Sequence, residues 1–157
     1  MKEIITIDET LKKKIAVFGA LTRDEITELL GYMERREYQA GEKIFLQNSS
    51  PENIYIVETG EVDFIYNGKK ENYLLKKYTV GDCFGEIALL GIISNFGDCI
   101  AKDKISLLQL SKFSFHKLSK ENNKLFTKLL FNITREICRY NYNLTNNFIE
   151  KLEKNIV

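Results

Sequence analysis

Residues 53–68 read NIYIVETGEVDFIYNG. Asn53, Ile54, Tyr55, Ile56 and Val57, and again residues 61–66, are short runs of β-branched and aromatic side chains with the two-residue alternation of a strand. Gly60 separates the runs, and Asn67-Gly68 closes the second. That dipeptide is a strong hairpin signal, because both residues tolerate positive φ. The same composition continues on either side, in KIFLQ before and in NYLLKKYTVGD and DCIAKDKISLLQLS after. Short strands at turn spacing predict a mainly β fold, a jelly-roll-like β-roll over residues 36–110.

Beyond the roll the period turns helical. Phe18, Leu21, Ile26, Leu29, Leu30 and Met33 predict a lead-in helix over 11–33, with Thr22 placed to cap it ahead of Asp24 and Glu25. C-terminal helices are expected over 111–155. There Phe126, Leu130, Ile133, Ile137, Tyr140 and Leu144 step by 4, 3, 4, 3 and 4, a heptad seam on one helix face. Phe148 and Leu152 follow by fours, so the seam drifts and a long coiled coil is not expected. Such a stripe needs an apolar partner, either a second copy, giving a homodimer, or the chain's own roll. With one proline, Pro51, in a turn and no linker, the 157 residues form a single domain.

The totals exclude several classes of function. Lys and Arg number 23 against 22 Asp and Glu, a net charge of +1, so the total carries no nucleic-acid footprint. Apolar runs such as residues 87–93 fall short of a membrane span. The N-terminus lacks the ordered regions of a secretory signal, which leads us to expect a cytoplasmic protein. Cys83, Cys99 and Cys138 are odd in number and widely spaced, matching neither a disulfide framework nor a metal clip, and are expected as mostly buried thiols. His116 is the only histidine. Neither a metal site, nor a resident cofactor, nor a nucleophile with its base is expected.

The strings YQAGEKIFLQNSSPENIYIVETGEVDFI and YTVGDCFGEIALL, between a short helix and a long one, resemble the cyclic nucleotide-binding domain family. Its members are regulatory modules of catabolite-activator-type regulators, cyclic-nucleotide-dependent kinases and gated channels. The resemblance spans about residues 18–140. It implies a phosphate-binding cassette opening at Phe84, Gly85, Glu86, Ile87 and Ala88, with backbone N–H groups toward the phosphate and Glu86 accepting a hydrogen bond from the ribose 2′-hydroxyl. The family's cassette ends in an arginine that grips the phosphate. Alignment puts Asn95 at or beside that position, followed by Phe96, Gly97 and, three residues on, the acid Asp98.

Losing one partner of a buried charge pair costs about 2–5 kcal/mol, and about 1.4 kcal/mol is tenfold in affinity. The expectation is therefore a non-enzymatic regulatory or sensor module with weak or no cAMP or cGMP binding. Three readings of the cassette stay open: a remnant in a protein-interaction module; a site for another small ligand held by backbone N–H groups and Asn95; or a cyclic-nucleotide site with its cation supplied from elsewhere. For the last, Arg135 and Arg139, one turn apart on the long helix, are the candidates. The family's transcription factors carry a further DNA-binding unit after the long helix. Here the sequence ends at Val157, so no DNA-binding domain is expected and the output falls to a partner protein or to the dimer.

Overall fold

Thr22 caps its helix as its position suggests. Its Oγ1 accepts from the Glu25 N–H at 3.2 Å, and the Glu25 carboxylate accepts from the Thr22 N–H at 2.8 Å, a reciprocal box that satisfies two otherwise orphaned donors. The computed structural model describes residues 4–154. The single lead-in helix expected over 11–33 is three pieces: α1 (Glu9–Lys14), a 3-10 turn (Ala16–Phe18) and α2 (Arg23–Leu30). Ile15 breaks the first from the second with an extended ψ of 101°, and before α2 Ala20 takes a left-handed φ of 60°, neither of which a helix propagates.

Eight strands follow: β1 (Glu34–Tyr38), β2 (Lys43–Phe45), β3 (Asn53–Thr59), β4 (Val62–Asn67), β5 (Asn72–Tyr78), β6 (Cys83–Phe84), β7 (Asp98–Ala101) and β8 (Ile105–Ser111). They form two antiparallel sheets, ordered β1-β8-β3-β6 and β2-β7-β4-β5. Period two sends Ile54 and Ile56 of β3 toward the helices, and Tyr55 and Val57 into the roll. β8 does the same with Leu108 and Leu107. One core therefore lies between the sheets and a second between the first sheet and the helices, with β3 and β8 common to both.

The β4–β5 hairpin is present, but its turn differs from the one its dipeptide suggests. Pairing closes at Asn67 opposite Asn72, leaving a four-residue loop in which neither Asn67 nor Gly68 has positive φ. Gly68 is there for space, since a Cβ would lie 2.7 Å from the Glu71 carbonyl oxygen. Asn48 adopts the left-handed conformation, at φ 64°, as asparagine can.

The C-terminal part comprises α4 (Lys112–Glu121) and α5 (Asn123–Lys154); residue 155, where the helix was expected to end, lies outside the described residues. At 1.5 Å per residue the 32 residues of α5 reach about 48 Å, and the helix lies on the body of the protein only as far as about Asn143. Leu125, Leu129 and Ile133 are buried there. The Asn132 Nδ2 donates to the Val17 carbonyl at 3.0 Å, tying α5 to the 3-10 turn.

The first part of the heptad seam faces inward. Phe126, Leu130, Ile133 and Ile137 pack on the chain's own helix-side core, and Leu144 is left 47% exposed. For the first four of these residues the apolar partner is the chain itself. A second stripe, Phe131, Cys138, Tyr142, Thr145 and Ile149, runs exposed along another face, while Phe148 and Leu152 carry the end of the seam into solvent.

Candidate functional site

The cassette begins where β6 leaves the sheet. Gly85 takes φ +83°, and a Cβ there would meet the Asn53 carbonyl oxygen at 2.7 Å, so the turn admits only glycine. The short helix α3 (Glu86–Gly91) follows. Phe84 is fully buried, its ring stacked 4.9 Å from that of Tyr55 and 4.8 Å from that of Tyr78. These rings fill the inside of the roll. Ala88 is buried behind them, packing the cassette onto the body.

What stays open is a cleft of about 300 Å³ at the mouth of the roll, between the cassette, β5 and α5. Glu86 and Ile87 of α3, Lys76 and Tyr78 of β5, and Arg139 and Tyr140 of α5 line it. The Glu86 Oε2 is shut off from solvent and has no hydrogen-bond partner. Burial pushes this carboxyl up to about 7, against a weaker opposing pull from its own backbone N–H and from the charge of Lys76. The Lys76 ammonium lies 4.7 Å from the ring centre of Tyr78 and 4.5 Å from that of Tyr140.

The residues expected at the site do not all gather there. Glu86, Ile87 and Arg139 do, and Tyr140, expected on the helix seam, joins them. Asn95 is turned away: its N–H donates to the Ser49 carbonyl at 2.9 Å, its carbonyl accepts from the Asn48 N–H at 2.7 Å, and its Nδ2 donates to the Ser49 Oγ at 2.9 Å. It fastens the end of the cassette to the 48–49 loop and lines a separate hollow beside Tyr38 and Tyr55. Phe96 stacks on Tyr66 at 5.2 Å and is 66% exposed, outside the cleft.

Arg135 also lies outside; its Nη1 donates to the Asn132 Oδ1 at 2.8 Å. Arg139 borders the cleft with its guanidinium paired to Glu136 at 2.5 Å. Asp98, the acid beyond Asn95, puts no free charge near the cleft. It accepts from the Gln47 N–H at 2.7 Å and pairs with Lys43 at 3.0 Å. Burial alone would raise its pKa, but those donors hold it below the usual carboxylate value.

Sequence reasoning missed Lys76. The signal was the alternation in NYLLKKY, which sets Lys76 and Tyr78 on one face of β5, both half-buried while the residues between and before them are exposed. Among the described residues no three His, Cys, Asp or Glu side chains gather as a metal site, and no helix is long and apolar enough to cross a membrane. His116 is exposed on α4. Of the thiols expected to be mostly buried, Cys99 is buried, Cys83 is half-buried and Cys138 is exposed.

Comparison with known proteins bears on this geometry. The family model for the cyclic nucleotide-binding domain matches residues 35–122. The cAMP-dependent protein kinase regulatory subunit of Neurospora crassa is 26% identical over 110 residues, 70% of this chain and 28% of that protein. The chain spans about a quarter of the length of the curated relatives it matches. Among solved structures, a cyclic nucleotide-binding domain from Methylobacillus flagellatus superposes with a TM-score of 0.80 at 20% identity, over 90% of this chain and 80% of that one. The regulatory subunit of a cAMP-independent protein kinase A from Trypanosoma brucei gives a TM-score of 0.71 at 19% identity, over 89% of this chain and 49% of that one. Both have the β-roll with flanking helices found here.

Proposed function

The chain belongs to the cyclic nucleotide-binding domain family, and from that premise we propose that it is a non-enzymatic regulatory module that binds a small hydroxyl-bearing anion, such as a cyclic nucleotide, weakly in the cleft between the roll and α5. One observation carries this reading. The cassette turns its carboxylate, Glu86, into the cleft, while the residue at its cation position, Asn95, is fastened to Ser49 on another side. Glu86 lines the cleft and its carboxyl meets no donor from another side chain, which leaves it to accept from a ligand hydroxyl. The missing cassette cation costs affinity by about 2–5 kcal/mol, or roughly one and a half to more than three decades. The fold also occurs in a protein described as cAMP-independent, so the roll alone does not dictate a tight cAMP response.

Binding acts through α5, which contributes Arg139 and Tyr140 to the cleft wall. A ligand that prefers one position of this helix shifts its population, and the helix passes the change to a partner protein or to a second copy. The second copy docks on the exposed stripe of α5, in a protein that works in the cytoplasm. Of the two arginines considered as replacement cations, Arg139 is the one beside the cleft.

Thermal unfolding with and without millimolar cAMP, cGMP and other nucleotides tests the reading. A ligand at about 100 times its Kd adds roughly 2.7 kcal/mol of stability, several degrees for a domain of this size. We expect a cyclic nucleotide to shift the midpoint in the high-micromolar to millimolar range. A shift at sub-micromolar ligand would overturn the weak-binding part. The absence of any shift would leave a protein-interaction module without a small ligand.

A further inference from the structure

Two complementary groups line the cleft, a carboxyl that meets no donor from another side chain and an ammonium held over aromatic rings. Glu86 presents a buried carboxyl oxygen with no hydrogen bond. Lys76, close enough for its charge to act on Glu86, holds its ammonium over the rings of Tyr78 and Tyr140, with no carboxylate of the described residues at ion-pair distance. The neighbouring Lys77 makes the ordinary surface pair of an edge strand, with Glu61 at 3.4 Å. Arg139 is already matched by Glu136, and Lys14 stands at the exposed rim.

We propose that Lys76 is the anion contact of this cleft, supplied by β5 in place of the cation that the cassette lacks, and that the ligand is a phosphate ester with a free hydroxyl: the anion meets Lys76 and the hydroxyl donates to Glu86. The inference rests on the proposed reading of the cleft as a ligand site. Aromatic rings hold an ammonium while leaving its charge uncompensated. An incoming phosphate therefore gains an ion pair without first breaking one, whereas at Arg139 it competes with Glu136.

Titration calorimetry of the full chain with cAMP and cGMP tests the assignment, using Lys76→Gln, Lys76→Arg and Arg139→Gln, each with its circular dichroism checked against the parent. Lys76→Gln is expected to weaken binding by about tenfold or more, Lys76→Arg to retain most of it, and Arg139→Gln to weaken it less than Lys76→Gln does. Equal affinity of Lys76→Gln and the parent overturns the assignment but leaves the cleft as a nucleotide site. A large loss in Arg139→Gln alone moves the cation to α5 and likewise overturns it. If the parent takes up neither nucleotide at millimolar concentration, the reading of the cleft itself fails.

Discussion

Glu86 concentrates the chemistry of this protein in one side chain. Its carboxyl, at about 7 instead of 4.5, stays protonated in the folded protein over a range where the unfolded chain has already ionised it. The folded state therefore binds more protons, and stability falls as pH rises from about 4.5 through 7. At about 1.36 kcal/mol per pKa unit the total is on the order of 3 kcal/mol. Glu86→Gln removes this dependence. Melting curves at pH 5, 6, 7 and 8 should show the variant gaining on the parent as pH rises, with the gain levelling off above pH 7. A pH-independent difference would show that Glu86 is not held neutral. FGE in the sequence was enough to single out this residue, but not its unpaired oxygen, which depends on what the fold places around it.

α5 shows what a heptad pattern can and cannot say. The seam from Phe126 to Leu144 was legible in the sequence as an apolar stripe, and its partner was not. The body of the protein takes Phe126, Leu130, Ile133 and Ile137, because the connection through α4 lays α5 back against the 3-10 turn and the first sheet. The apolar surface left open on α5 comprises Leu144 and Phe148 at the end of the seam and the second stripe, where Tyr142 is 67% and Ile149 46% exposed. Replacing both Tyr142 and Ile149 with Glu should convert a dimer to a monomer in light scattering at high micromolar concentration, with an unchanged circular dichroism spectrum. A parent that is itself monomeric at that concentration would remove the stripe from the mechanism.

The whole molecule is organised around β3 and β8, each lending one face to either core. Leu107 and Leu108 are both fully buried, one inside the roll and the other under the helices. Leu to Ala at such sites costs about 2–5 kcal/mol. Because the two cores share these strands, either variant should lower the same single unfolding transition, followed by calorimetry and by circular dichroism. Two separated transitions, one for each core, would show that the helices and the roll unfold independently.

Local pattern was sufficient for the strands and the Thr22 cap, because each follows from side-chain period or backbone hydrogen bonding within a few residues, whereas the cassette at Gly85 and Glu86 was legible only through the family resemblance. The cleft is different in kind. Lys76, Glu86 and Tyr140 come from a strand, a cassette helix and a terminal helix far apart in the chain, and they meet only once the two sheets have closed and α5 has docked. Asn95 carries the same lesson in reverse: its place in the sequence aligns it with a ligand contact, whereas the hydrogen bonds to Asn48 and Ser49 turn it elsewhere. Sequence spacing sets which residues share an element's face; which elements then face one another depends on how the buried surfaces of the entire chain are satisfied together.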